Sequence, residues 1–383
     1  MMQHRTVLAL MLAVIVATTG YGVSFPLLAI SLEKLQFSST LIGINAAMPA
    51  FGWIIASLLI PGLQRRYSTR TLMIAFLLIA TIGIVGFTFS KNYAIWLFCR
   101  FLFGGGLGMF FRTVEYQLNA SVKKEKRGQM LSVYIVLFLA GIIIGSIIQP
   151  GLGIDGLVPY FFIFICLVIG LVCIYFSGIE GEPVLQSNSN APGFYSIIRQ
   201  LYIFLPIAAG GAFVYGLVES IPVYLMPVYA LKVGFDEAGS AYTLTAFAAG
   251  NLFFAYPLGF LSDKIGRIPL LYGCAIVSLV CFLLVPFSIA DMKIYYSTLF
   301  VIGGCIVGLY TLSLALIGDH YSETDLVSVN AAFGIIYAVG SLCGPILHGV
   351  AMHIYEPNGL IVSAALVFVL YLVFALNRSK KSF

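Results

Sequence analysis

The chain has 383 residues, of which 61% are hydrophobic and only 9% charged, with a formal net charge of +5 and a mean hydropathy of +1.03. A water-facing domain of this size carries about 25% charged residues, so this chain cannot cover a soluble surface, and a soluble enzyme or a nucleic-acid-binding module is excluded. Its solvent is lipid, and its backbone has to satisfy itself as helices.

About 20 apolar residues cross the hydrocarbon core. Such windows fall at 6–32, 39–63, 71–90, 93–121, 128–152 and 158–178, then at 201–230, 239–261, 269–289, 294–318, 327–353 and 358–377. The first begins after Arg5 and runs too long for a cleavable signal. The two sets are separated by "SGIEGEPVLQSNSNAPG", the one long polar stretch, which reads as a linker. The expected organisation is an N-terminal six-helix bundle over 1–178, a cytoplasmic linker over 179–200 and a C-terminal six-helix bundle over 201–383.

With the N-terminus inside, inward-facing segments hold Arg5, Arg65, Arg66, Arg70, Lys123, Lys124, Lys126, Arg127, Arg199, Lys264, Arg267, Arg378, Lys380 and Lys381, against Lys34, Lys91, Lys232 and Lys293 outside. That bias places both termini in the cytoplasm of a multi-pass protein. The halves also resemble each other. "GVSFPLLAISLEKLQF" can be laid over "VESIPVYLMPVYALKVGF", bringing Pro26 to Pro222, Lys34 to Lys232 and Phe37 to Phe235, while Gly141 and Gly145 meet Gly340 and Gly344. Internal repeats of this kind build many transporters, with the substrate path at the repeat interface. The seven cysteines all lie inside apolar runs, as small hydrophobes rather than a disulfide framework or a metal site.

The turn between spans 8 and 9 reads "GFLSDKIGRIPLL" and sets Gly259, Asp263, Lys264, Gly266 and Arg267 between two apolar segments. It resembles the signature loop of the major facilitator superfamily, Gly-x-x-x-Asp-Lys/Arg-x-Gly-Arg, in full. The resemblance implies a latch that holds the cytoplasmic side closed: Gly259 for close helix approach, Gly266 for the reversal, Asp263 facing a helix N-terminus and Arg267 pairing with carboxylates. The matching first-half loop, "GLQRRYSTR", departs from the pattern, with Arg66 in place of the aspartate and Thr69 in place of the second glycine. "RFLFGGGLG" from Arg100 is similar to the family's intramembrane arginine and small-residue face. "GIIIGSIIQP" and "GSLCGP" look like its gating helices, through Gly141, Gly145, Pro150, Gly340, Gly344 and Pro345. The implied fold is all-α, twelve transmembrane helices in two pseudo-symmetric six-helix bundles, in the branch of bacterial single-chain drug and metabolite carriers.

An ionisable group near the bilayer centre costs roughly 2.5 to 3.5 kcal/mol, so its presence points to function. Glu219 lies midway along span 7 just before Pro222, which weakens the helix there. It has no sequence-local cation and is the expected proton-titrating site. Arg112 and Glu115 stand three apart on span 4 and can pair, as a clamp or as part of the coupling. Arg100, three turns earlier, can bind an anionic substrate or neutralise Glu219. A carboxyl that meets an arginine in one conformation and loses it in another changes its proton affinity during the cycle. Tyr21, Tyr215, Tyr224, Tyr310 and Tyr337 are expected to border the central cavity, and Trp96 to sit in an interfacial belt. Asp319 and His320 fall in the span 10–11 connection as a solvated loop that can latch to Arg267. His348 and His353 fall near the outer end of span 11, not as ligands.

No catalytic constellation, phosphate-cradling loop or metal spacing stands out, so no enzyme activity, no metal and no cofactor other than a coupling proton are expected. The expected function is proton-coupled export of a small organic molecule across a bacterial inner membrane by alternating access, by a monomer whose partners are substrate, protons and lipid. Two readings stay beside it: proton-coupled import of a siderophore or organic anion engaging Arg100, favoured by the separation of Gly145 from Pro150, and a non-transporting sensor or assembly protein with the same fold.

Overall fold

Apolar runs without water to take up their backbone groups are stable only as helices or closed barrels. The computed structural model describes residues 4–121, 124–179, 205–321 and 323–379, and these contain helices and no strand. In chain order they are α1 (His4–Lys34), α2 (Ser39–Gln64), α3 (Thr69–Gly86), α4 (Tyr93–Ser121), α5 (Lys124–Leu152), α6 (Val158–Tyr175), α7 (Pro206–Ser220), α8 (Met226–Lys232), α9 (Glu237–Ile265), α10 (Arg267–Ser288), α11 (Met292–His320), α12 (Glu323–Ile354) and α13 (Gly359–Ser379). A π-helical turn, Ile221–Leu225, joins α7 to α8, so the expected seventh span is one stretch, Pro206–Lys232, broken in its middle.

Eleven stretches among the described residues are long and apolar enough to cross a membrane, and α2 completes the expected set of twelve with an apolar stretch at Ser39–Ile55. Large apolar side chains stand exposed along α5 (Val133, Ile135, Val136, Ile144, Ile147) and α10 (Ile276, Val280, Leu283, Leu284, Phe287). Water would reject such faces and lipid accepts them. Residues 180–200 of the expected linker and 201–204 of the expected seventh span lie outside the described residues.

The chain divides into two compact units, and their boundaries differ from the expected contiguous halves. Phe37–Ala47, which includes the start of α2, joins the second unit, and Glu237–Tyr242, the first turn and a half of α9, joins the first. Lys34 accounts for the latter: its ammonium meets Asp155 at 2.8 Å and Glu237 at 2.6 Å.

Each unit repeats one packing scheme. In the first, α1 packs on α5 and α6, and α3 on α4 and α6; in the second, α7 packs on α12 and α13, and α10 on α11 and α13. Small residues set the closest approaches. A methyl on Gly145 would collide with the Thr19 carbonyl, and one on Gly344 with the Leu217 carbonyl. Gly141 stands in the same relation to Ile15, and Gly340 to Phe213. Thr19 and Leu217 are as far apart in sequence as Ile15 and Phe213, so the aligned glycines are one packing device used twice. Carried along α1 and α7, the same separation brings Tyr21 onto Glu219.

Trp96 departs from its expected place in an interfacial belt. It is 4% exposed, stacks edge-on against Phe87 at 5.1 Å and donates its indole N–H to the Ser90 carbonyl at 2.6 Å. An intramolecular acceptor within reach takes the polar handle that would otherwise seek the headgroups.

Candidate functional site

The second unit holds its ionisable group where the sequence makes a helix hardest to continue. Pro222 has no N–H to give the Val218 carbonyl, and that carbonyl is taken instead by the Ile221 N–H. Five residues on, Pro227 again lacks a donor. Between them the chain widens into the π turn, which closes with the Met226 N–H on the Ile221 carbonyl. Isolated π turns recur at functional positions because they re-aim a helix face without ending the helix.

Glu219 sits two residues before this turn and is half-buried. Tyr215, one turn earlier on the same face, donates its hydroxyl to Oε1 at 3.1 Å. Tyr337 of α12 donates to Oε2 at 2.7 Å. The three tyrosines form one cluster: Tyr215 stacks on Tyr337 with ring centroids 5.5 Å apart, and Tyr310 of α11 lies 5.0 Å from Tyr215 and 5.8 Å from Tyr337. Phe333 supports Tyr310 from behind at 5.2 Å and belongs to a fully apolar core of α7, α11 and α12 with Ala208, Ala212, Leu316 and Ala332. No Lys, Arg or His of the described residues lies within ion-pair distance of Glu219. Two neutral donors, not a cation, offset the cost of placing this carboxyl at mid-span.

The charged loop is a second cluster of the same unit. Gly266, at φ +91°, is the one residue between α9 and α10, and a side chain would be strained there. Arg267 forks onto Asp319 through Nε and through Nη2, the latter at 3.0 Å, and lies 3.9 Å from Asp263. Asp319 is in the last turn of α11 rather than in a loop, so the pair ties the start of α10 to the end of α11. Lys264 places its ammonium 4.4 Å over the Phe260 ring. The expectation for Gly259 is corrected: it is exposed, and a methyl there would meet nothing within 4 Å. Among the described residues no helix comes within contact of that position, so the close approach expected there is not found.

The family model for the Major Facilitator Superfamily matches residues 10–242 and 208–382. The chain belongs to the major facilitator superfamily. Among its relatives are YfkF of Bacillus subtilis (strain 168), an uncharacterized MFS-type transporter 25% identical over 91% of this chain and 90% of its own, and YcaD of Salmonella newport (strain SL254), another, 23% identical over 98% and 96%. Solved structures with the same fold include the nucleoside transporter NupG, with a TM-score of 0.73, 12% identity and coverage of 98% and 97%. A bacterial homologue of the human lysosomal transporter Spinster, inward-facing and occupied, has a TM-score of 0.76, 13% identity and coverage of 96% and 94%. The protein is thus a multi-pass membrane carrier of a small molecule, and not an enzyme.

In this carrier the remaining expected site residues fall in separate places. Arg100 is sealed inside the first unit at 1% exposure. Tyr21 is 4% exposed and packs on Phe25 at 4.4 Å and Phe103 at 5.9 Å. That corrects its expected place at a cavity wall, because its ring is buried among those phenylalanines. Arg112 and Glu115 both stand exposed on α4, and no ion pair joins them. Tyr224 lies half-buried within the π turn. Pro150 and Pro345 are interior to α5 and α12, and Pro345 turns its carbonyl onto Gly43 within the second unit. His348 is fully buried, with Nδ1 2.8 Å from Ser363 Oγ, whose own proton goes to the Leu360 carbonyl; the Nδ1–H therefore donates. Sequence reading missed this pair and Phe333, since the partners come from different helices or look like ordinary packing.

Proposed function

We propose that this carrier couples transport to protons at Glu219 and exports a small organic molecule across the bacterial inner membrane, as a monomer with both termini in the cytoplasm. The observation that carries the reading is a half-buried mid-span carboxyl, held by two tyrosine hydroxyls, beside a helix break that can change which side the acid faces. Such a group can take a proton in one conformation and release it in another, because its charged form is favoured only while donors or water reach it. The tie between Arg267 and Asp319 supports the latch, since a loop that opens during the cycle needs contacts that can be broken at small cost. Export follows from the resemblance to drug and metabolite carriers. Import of an organic anion would rest on Arg100, and a side chain 1% exposed is a poor first contact for a ligand.

The test is reconstitution in vesicles that contain a pH-sensitive dye, with candidate solutes added under an imposed proton gradient. Solute-dependent proton movement is expected, with at least a tenfold loss in Glu219→Gln. Undiminished movement in that variant would remove Glu219 from the mechanism, and the sign of the flux decides export against import. A reporter enzyme active only in the cytoplasm, fused after Phe383, is expected to be active.

A further inference from the structure

The Glu219 cluster has a chemical polarity that goes beyond proton binding. Each tyrosine hydroxyl owns one proton, and Tyr215 and Tyr337 both spend theirs on the carboxylate. Their oxygens therefore have only lone pairs left to offer. The carboxylate has about four acceptor positions, and the tyrosines fill two. The ring faces add the negative side of the aromatic quadrupole. With Glu219 ionised, what the carboxylate, Tyr215 and Tyr337 have left to offer is acceptors and π faces, and no basic side chain of the described residues lies within ion-pair distance of Glu219.

The rings pack on one another at 5.0 to 5.8 Å, too close to admit a ligand between them. A ligand meets their outer surfaces instead, and Glu219, Tyr310 and Tyr337 all keep partial exposure. By contrast, Arg100, the charge that would suit an anion, is 1% exposed in the other unit.

We propose that Glu219 with Tyr215, Tyr310 and Tyr337 forms a binding subsite for the cationic, hydrogen-bond-donating end of the substrate, an organic ammonium with an apolar or aromatic body. The N–H groups fill the vacant carboxylate positions and the phenol lone pairs, the positive charge lies against the outer faces of Tyr310 and Tyr337, and an anion of the same shape meets the like charge of the carboxylate. The inference rests on the reading of Glu219 as the working carboxyl, and names what that carboxyl binds besides a proton.

Two probes with one ring system and opposite charge test it: 1-pyrenylmethylammonium and 1-pyrenesulfonate, titrated by fluorescence against the full chain in lipid nanodiscs with empty discs subtracted. Saturable binding of the ammonium is expected, weakened at least tenfold in Glu219→Gln and at least threefold in Tyr310→Leu, and retained in Tyr310→Phe, which keeps the π face. The sulfonate is expected to show no Glu219-dependent binding. Glu219→Asp keeps the charge on a shorter arm and serves if Glu219→Gln does not fold; it is expected to retain ammonium binding in part. Ammonium binding indifferent to Glu219, or a sulfonate that binds through it as well, overturns the proposal. The vesicle assay separates the two readings. Glu219-dependent proton movement driven only by neutral or anionic solutes would leave proton coupling standing and remove the ammonium class. Ammonium binding through Glu219 without any proton movement would do the reverse.

Discussion

At the scale of single residues, the carboxyl of Glu219 is held in the hydrocarbon zone by two hydroxyls of unequal reach, 2.7 Å from Tyr337 and 3.1 Å from Tyr215. A hydrogen bond to a charged group contributes about 1.5 to 3 kcal/mol, which is roughly one to two powers of ten in an equilibrium constant. Tyr337→Phe is therefore expected to shift the half-saturating proton or substrate concentration in the vesicle assay by about tenfold. Tyr215→Phe, which loses the longer bond, should shift it less; an equal or larger effect would mean that ring packing and not the donor governs. The acid was legible in the sequence, because a Glu amid apolar residues is too costly to be incidental. Its partners were legible only in part. Tyr215 is four residues away on one helix face, but Tyr337 is 118 residues distant, and nothing in the local sequence reports that separation.

Single helices carry the next decisions. Pro222 and Pro227 withhold two donors five residues apart, and the backbone answers with a π turn in place of one continuous helix. A bend near Pro222 is readable from the sequence, since proline always removes the same bond. The widened form of the turn is not, because it depends on which neighbouring carbonyls find other donors. The α7–α12 contact is set by glycine. Gly344→Ala would press a methyl into the Leu217 carbonyl, and overpacking of this kind typically costs about 1 to 3 kcal/mol. A clear fall in the thermal midpoint of the purified protein is expected. Gly334→Ala, on the same helix with nothing within 4 Å of the added carbon, is expected to leave the midpoint unchanged or raise it slightly. If the two variants melt together, close approach is not what fixes this contact.

For the whole molecule, the charged loop offers a test of the latch that stability alone cannot give. Arg267 and Asp319 are both partly exposed, so solvent screens their attraction and the pair contributes about 0.2 to 1 kcal/mol to folding. Asp319→Asn and Arg267→Gln should therefore hardly alter the thermal midpoint, yet each is expected to change the transport rate several-fold. The reciprocal exchange, Arg267→Asp with Asp319→Arg, should recover part of the rate, and a double variant no better than either single one would exclude the pair as a working contact. The sequence by itself determined that the chain lives in lipid, the number of its spans, their two-fold repetition and the turn at Gly266. These follow from composition, length and local backbone preference, which act within a few residues of where they are written. Only the tertiary structure decided which carboxylate Arg267 takes, that no described residue packs on Gly259, that Tyr21 and Arg100 are sealed away, and that the acid at the position matching Tyr21 is ringed by tyrosines. Those outcomes depend on which helix faces pack together, and an almost uniformly apolar helix has too little contrast between its faces to announce which one turns inward.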